Sequence, residues 1–182
     1  MAYDWRQHLG TEKSFAVKAT LQSGYFKHDQ YAALKTKDAI VDQFRKHTGR
    51  RPNVNSQQPD IAIDLHISDT MATLSLDSSG ASLHHRGYRT STNIAPINEV
   101  LAAGLLMHSG WQGQCDCLEP MCGSGSIPVE AAMIAARIPA NCNRVAFAFQ
   151  QWDNYDVDLF ETVFDAQMNK VVNPGFKIMG ID

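Results

Sequence analysis

The residues best suited to chemistry lie together at Glu119-Pro120-Met121-Cys122-Gly123-Ser124-Gly125-Ser126. Asp116-Cys117-Leu118 leads into this run, and an apolar face at Ile127, Ala131, Ile134, Ala135 and Ile138 follows it, with Pro128 early and Glu130 in the first turn. That pattern predicts a strand, a glycine-rich turn and a helix, the arrangement on which doubly wound α/β folds bind nucleotides. A ligand lying against the backbone where the chain leaves a strand would collide with a Cβ, and Gly123 and Gly125 remove that obstruction. The helix start then offers unpaired N–H groups. Pro128 stands where a dinucleotide fingerprint needs its third glycine, and no Gly-Lys-Ser/Thr follows as a P-loop requires. S-adenosylmethionine carries no pyrophosphate and needs close approach more than an anion cradle, so it suits the turn. A Gly-Ser turn with a purely structural role stays open on these residues alone.

Two cationic clusters are the other candidates. Arg45-Lys46-His47-Thr48-Gly49-Arg50-Arg51-Pro52 gathers cations around a helix end. There they can contact phosphates without reading sequence, or complement the negative end of the helix dipole. His84-His85-Arg86-Gly87-Tyr88-Arg89 sets arginine beside an aromatic, a combination that stacks on unpaired RNA bases. The other reading of this second cluster is a linker whose arginines pair with acidic groups on a neighbouring domain. The candidate RNA contacts are therefore Lys46, Arg50, Arg51, Arg86, Tyr88 and Arg89. Charge is divided unevenly along the chain: residues 1–93 carry 12 Lys and Arg against 9 Asp and Glu, and residues 94–182 carry 4 against 10. The first half is the better suited to approach a polyanion.

Cys115, Cys117, Cys122 and Cys142 lack the usual Cys-x2–4-Cys knuckle, so no metal site is expected. With 44% hydrophobic and 19% charged residues the composition is that of a globular protein and not of a disordered one. No apolar run approaches the ~20 residues of a membrane span, and Met-Ala-Tyr-Asp-Trp-Arg is no secretory signal. The expectation is a cytoplasmic protein without a membrane partner.

These candidates must be carried by regular elements. Phe15-Ala16-Val17-Lys18-Ala19-Thr20-Leu21 alternates and predicts a strand. A helix is expected over 30–47, with Leu34, Ile40, Val41 and Phe44 on one face and Gly49 ending it. Ile61, Ile63, Leu65 and Ile67 give a period-two strand with one buried face. Ser68-Asp69-Thr70 turns the chain, and Ala72, Leu74 and Leu76 carry it back. In the second half Pro96 opens a helix to about His108, its apolar face at Ile97, Val100, Leu101, Gly104 and Leu105, Glu99 in its first turn and Gly110 closing it. Strands are expected around 115–119 and 176–181.

Taken together the motifs resemble those of THUMP-containing class I RNA methyltransferases. Glu119 to Ser126 followed by Ile-Pro-Val-Glu-Ala-Ala is similar to their cofactor motif, whose common form begins Asp-Pro-x-Cys-Gly-Ser-Gly-Thr. Leu76-Asp77-Ser78-Ser79-Gly80, Leu83-His84-His85-Arg86-Gly87-Tyr88-Arg89 and Ala95-Pro96-Ile97-Asn98-Glu99-Val100-Leu101-Ala102-Ala103 look like the linker and first helix of the bacterial subgroup that modifies 23S ribosomal RNA. Phe147-Ala148-Phe149-Gln150-Gln151-Trp152 is similar to that subgroup's segment after the cofactor helix. The resemblance covers the chain from about residue 15 onward. It implies an α/β fold in two parts: an α+β THUMP-like module over 1–89 with its linker, then, over 90–182, the first part of a Rossmann-like class I methyltransferase domain. The implied activity is methylation of the exocyclic N2 of a guanine in 23S ribosomal RNA, with S-adenosylmethionine as cofactor. Glu119, Pro120, Met121, Cys122, Gly123, Ser124, Gly125 and Ser126 would line its amino-acid end, Asp182 would take the ribose hydroxyls, and Ala95, Pro96 and Ile97 would lie on the adenosine side. Glu119 departs from the usual Asp, and His85 stands where Lys or Arg is common.

Two strands are too few for a class I sheet, so the natural polypeptide is expected to extend beyond residue 182, and beyond residue 1 as well. The family's Asn/Asp-Pro-Pro-Tyr/Phe motif, which holds the target amine in line with the methyl group, is absent from these 182 residues. No catalytic residue is therefore expected in this chain, and no turnover by it alone. The alternatives are an adenine-N6 DNA or RNA methyltransferase and a non-catalytic RNA-binding module.

Overall fold

A computed structural model describes residues 3–89 and 96–182. Contacts divide the chain into two units, one of residues up to 80 together with 146–155, the other of 81–145 together with 156–182.

In the first unit β1 (Ser14–Gln22), α1 (Asp29–Thr48), β2 (Asn53–Val54), β3 (Ile61–Ser68) and β4 (Met71–Leu76) build a four-stranded sheet in the order β2-β1-β3-β4. β1 runs parallel to β2 and β3, with Val17 opposite Ile63, and β3 pairs antiparallel with β4. The alternation of β3 is realised as expected: Ile61, Ile63, Leu65 and Ile67 are buried, and the residues between them are not. Helix α1 lays Ile40 and Phe44 on Leu9, Phe15, Ile61 and Ile63, and Trp5, Val17, Val41, Leu76 and Trp152 close the edges of this core. Leu34, expected on the same face, is half exposed. The core face of α1 is confined to its C-terminal half. Gly49, in the left-handed region with φ 69°, ends the helix and donates its N–H to the Arg45 carbonyl. Residues 146–155 return to this unit: Ala148 and Phe149 donate their N–H groups to the Ser79 and Ser78 carbonyls, and Lys13 pairs with Asp153.

The second unit holds α2 (Glu99–His108), β5 (Cys117–Glu119), α3 (Ser126–Ala135), α4 (Val157–Met168) and β6 (Ile178–Gly180). β5 and β6 pair in parallel, Leu118 opposite Met179, and α3 packs on both α2 and the strands. α2 starts at Glu99 and not at Pro96, because the Asn98 side chain caps it, accepting from the N–H groups of Val100 and Leu101 at 2.9 and 3.2 Å. Its buried face is also not the expected one. Glu99, Ala102, Ala103 and Leu106 are buried, whereas Val100, Leu101 and Leu105 are half exposed. The helix is apolar nearly all the way round, so periodicity selects no face. The small side chains of Ala102 and Ala103 decide which side approaches α3. On α3, Ala131 is buried as expected, but its fully buried companions are Ser126 and Glu130; Ile127, Ile134 and Ala135 are only partly covered, and the helix ends at Ala135, before Ile138.

Candidate cofactor site

In the second unit the chain leaves β5 at Glu119, makes the glycine turn and enters α3. Gly123 and Gly125 have φ of 51° and 78°, in the left-handed region that disfavours side chains, and a Cβ at either would meet nothing within 4 Å. The turn is therefore shaped by glycine while the space beside it stays open. A close-approaching nucleoside needs both. The turn is held from within and from β6. The N–H of Met121 donates to the Glu119 carboxylate at 3.2 Å and that of Gly125 to the Cys122 carbonyl at 2.8 Å. Cys122 donates its N–H to the Ile181 carbonyl at 2.9 Å, and Ile181 in turn donates to the Glu119 carbonyl at 2.9 Å. The Asp182 carboxylate accepts from the Gly123 N–H at 3.3 Å. Glu119 through Gly125 and Asp182, 59 residues from Gly123, are thus brought together.

Pro96 and Ile97 lie at the entrance to α2, and the Ile97 carbonyl accepts from the Ser126 hydroxyl at 3.3 Å. Ala95 lies outside the described residues. Ser126 is buried, and its hydroxyl also accepts from Arg89 at 2.7 Å. Its side chain ties the turn to the protein, which leaves only its backbone for a ligand.

Gly180, which the sequence reading passed over, governs how closely β6 approaches the turn. A Cβ there would stand 2.8 Å from Sγ and 2.9 Å from Cβ of Cys122, and 3.0 Å from Cγ of Pro128.

The polar groups of Arg86, Tyr88 and Arg89 are engaged on acidic partners inside this unit. Arg86 pairs with Glu130 at 3.4 Å, the two side chains being 9% and 3% exposed, and also donates to the Leu83 carbonyl at 3.0 Å. The Tyr88 hydroxyl donates to the same Glu130 oxygen at 3.1 Å. Burial, and after it the Glu130 charge, pushes the Tyr88 phenol well above its ordinary pKa. Arg89 pairs with Glu99 at 3.2 Å, with side-chain exposures of 15% and 8%, and donates to the Ile97 carbonyl at 3.1 Å. The two glutamates, expected in the first turns of their helices, are the buried counter-charges of this network, and Glu130 stands in the second turn of α3, which begins at Ser126. A carboxylate on an otherwise apolar helix needs a cation if it is buried, and Arg86 and Arg89 were the cations at hand. No buried side-chain nitrogen or oxygen among the described residues lacks a partner.

Lys46, Arg50 and Arg51 are exposed at the C-terminal end of α1, in the first unit, and hold no ion pair among the described residues. The four cysteines are free thiols. Burial, followed by the charges of Glu119 and Cys115, pushes the Cys117 thiol up, away from a reactive thiolate. Among the described residues no cluster of His, Cys, Asp or Glu is placed to hold a metal ion, and no helix is long and apolar enough to cross a membrane.

Residues 86–182 match the family model of the RMKL-like methyltransferase domain, and residues 1–77 match that of the THUMP domain. The chain is 41% identical over 163 residues to the ribosomal RNA large subunit methyltransferase K/L of Shewanella frigidimarina, a match over 89% of this chain and 23% of that protein. It spans under a quarter of the length of the curated relatives it matches. Among solved structures, SMU.472 complexed with SAH superposes with a TM-score of 0.86 at 30% identity, over 98% of this chain and 48% of the other. A predicted N6-adenine-specific DNA methylase from Listeria monocytogenes does so with a TM-score of 0.81 at 28% identity, over 92% and 44%. With its glycine turn, its α3 and its strand β6 inside the matched region, the chain belongs to the RMKL-like methyltransferase family, and a THUMP domain precedes its methyltransferase part.

Proposed function

We propose that this chain is the RNA-docking and cofactor-seating part of a cytoplasmic enzyme that methylates the exocyclic N2 of a guanine in 23S ribosomal RNA, using S-adenosylmethionine. In this reading residues 1–89 form the docking module and linker, and 90–182 the first part of the methyltransferase domain. The observation that carries it is the glycine-shaped turn with open space at Gly123 and Gly125 and the Asp182 carboxylate beside it. It is joined by the relatives' names, which specify ribosomal RNA methylation.

The residues present fit the cofactor. When bound, S-adenosylmethionine supplies a methyl group on an electron-poor sulfonium. The turn from Glu119 to Ser126 gives the amino-acid end a backbone surface without side-chain obstruction. Asp182 would accept hydrogen bonds from the ribose hydroxyls, and Pro96 and Ile97 would bound the adenosine side. The Arg89–Glu99 and Arg86–Glu130 pairs hold α2, α3 and the linker around the turn, so that it keeps its shape before any ligand arrives. Lys46, Arg50 and Arg51 meet RNA phosphates from the first unit. The side chains that would present the base are not among these 182 residues, so this chain alone does not transfer methyl groups.

The test uses a polypeptide of the relatives' length that contains this chain, with labelled S-adenosylmethionine, offering naked 23S RNA or duplex DNA and identifying the modified nucleoside. N2-methylguanine in RNA is expected. N6-methyladenine, the chemistry in the name of the Listeria protein, would transfer the assignment to that reaction. Failure of the longer protein to bind S-adenosylmethionine would leave a non-catalytic RNA-binding module.

A further inference from the structure

At the N-terminal end of α1, about 30 Å along the 20-residue helix from Arg50 and Arg51, the first unit carries a groove of about 440 Å³. Leu65, Ile67 and Ala72 of β3 and β4 form its floor. Tyr25, Phe26 and Tyr31 form its walls and are 77%, 48% and 61% exposed. Lys27, His28 and Lys35 also line it, and the lining contains no carboxylate. The Lys35 ammonium lies 5.5 Å from the centroid of the Tyr31 ring. Asp29, the adjacent acid, has its carboxylate engaged by the Gln30 N–H at 2.7 Å.

The loop that presents Tyr25 and Phe26 is not loose chain. The Ser23 hydroxyl donates to the Asp69 carbonyl at 2.6 Å and accepts from the N–H groups of Tyr25 and Phe26 at 3.1 and 3.3 Å. Three aromatic rings held open to water beside an apolar floor are a surface that gains by being covered. Its chemistry narrows what covers it. The rings offer flat π faces, the rim is cationic, and nothing in the lining repels a polyanion. Unpaired nucleobases joined by phosphates have the matching features. A duplex, with its bases already stacked, has no free face to give.

We propose that this groove is a stacking site for the unpaired bases of single-stranded RNA. Tyr25, Phe26 and Tyr31 receive base faces, and Lys27 and Lys35 receive the flanking phosphates. The proposal rests on the reading that the first unit docks RNA, and adds to it a second contact that selects unpaired strands.

The experiment measures binding of a fluorescently labelled ten-nucleotide single-stranded RNA to the 182-residue chain by anisotropy, over a range of salt, with an RNA duplex as competitor. Tyr25→Ala/Tyr31→Ala is expected to weaken binding about 30-fold or more through the loss of two stacks. Tyr25→Phe/Tyr31→Phe, which keeps the rings, should stay within about threefold of the parent. Lys27→Ala/Lys35→Ala should flatten the salt slope by about 1.4, for two phosphates on a single strand. Unchanged affinity in Tyr25→Ala/Tyr31→Ala, or a duplex that competes as well as a single strand, overturns the proposal. If Lys46→Ala/Arg50→Ala/Arg51→Ala alone weakens binding, the stacking groove falls while RNA docking stands. If the parent chain binds no RNA, both fall.

Discussion

Gly180→Ala places a single methyl group between β6 and the cofactor turn. The new Cβ would lie 2.8 to 3.0 Å from Cys122 and Pro128. Non-bonded carbons settle at about 3.5–4.0 Å, so the strand and the turn must separate by several tenths of an ångström. Three hydrogen bonds span this gap, Cys122 N–H to the Ile181 carbonyl at 2.9 Å, Gly123 N–H to Asp182 at 3.3 Å and Ile181 N–H to the Glu119 carbonyl at 2.9 Å. The second is already long and is the first to be lost. Overpacking of this kind costs about 1–3 kcal/mol. If that energy appears in ligand binding, S-adenosylhomocysteine should bind about 5- to 150-fold more weakly to a polypeptide of the relatives' length that carries the change. Titration calorimetry reads the affinity, and urea unfolding of the same samples separates a displaced turn from general destabilisation. Gly175→Ala is the control: its Cβ would meet nothing within 4 Å, and it should leave both measurements unchanged. A Gly180→Ala protein indistinguishable from Gly175→Ala would refute the claim that β6 sets the position of the turn.

Three further perturbations bear on the rest of the molecule. Arg89→Met leaves Glu99 buried without its cation, and breaking such a pair from one side costs about 3–5 kcal/mol; adding Glu99→Gln should restore part of that loss in urea unfolding, whereas additive losses would contradict the pairing. The Asp60 carboxylate accepts from the Ser14 hydroxyl and N–H at 2.6 and 2.7 Å, which lowers its pKa below the usual aspartate value. Its stabilisation is therefore complete above about pH 4 and is lost as pH falls through the folded-state value. The stability gap between the parent and Asp60→Asn should close on acidification, and a gap independent of pH would exclude the contact. Phe44→Ala empties the centre of the first unit, where Phe44 is 2% exposed, at a cost of about 3–5 kcal/mol; Trp5 and Trp152, both packed on that core, report the unfolding by fluorescence.

What could be read from the sequence was whatever local patterning determines alone. The alternation of Ile61 to Ile67 has one outcome on a pleated strand, and Gly49 after a helical run has one common use. Gly123 and Gly125 between a strand and a helix announced a turn that a ligand can approach. The buried face of α2 was not legible because an all-apolar helix has no preferred side until a neighbour supplies one. Arg86 and Arg89 were read as RNA contacts because their partners, Glu130 and Glu99, stand 44 and 10 residues further along the chain. No local window contains the first pair, and neither helical nor strand periodicity relates the second. Gly180 escaped for the same reason: its need for a bare Cα comes from Cys122 and Pro128, which only the folded second unit brings against it.

The return of residues 146–155 to the first unit bears on how the protein is made. As the chain emerges from the ribosome, the sheet β2-β1-β3-β4 is complete by Leu76, yet the place of Trp152 against its core stands empty. Residues 81–145, with the whole of α2, β5 and α3, must be synthesised before the plug arrives. At roughly 5–20 residues per second, that interval lasts several seconds. Nascent chains stalled before residue 146 should therefore expose the part of the core that Trp152 covers to chaperones or proteases, and chains stalled well past residue 155 should not. The module made first is sealed only after the cofactor turn has already left the ribosome.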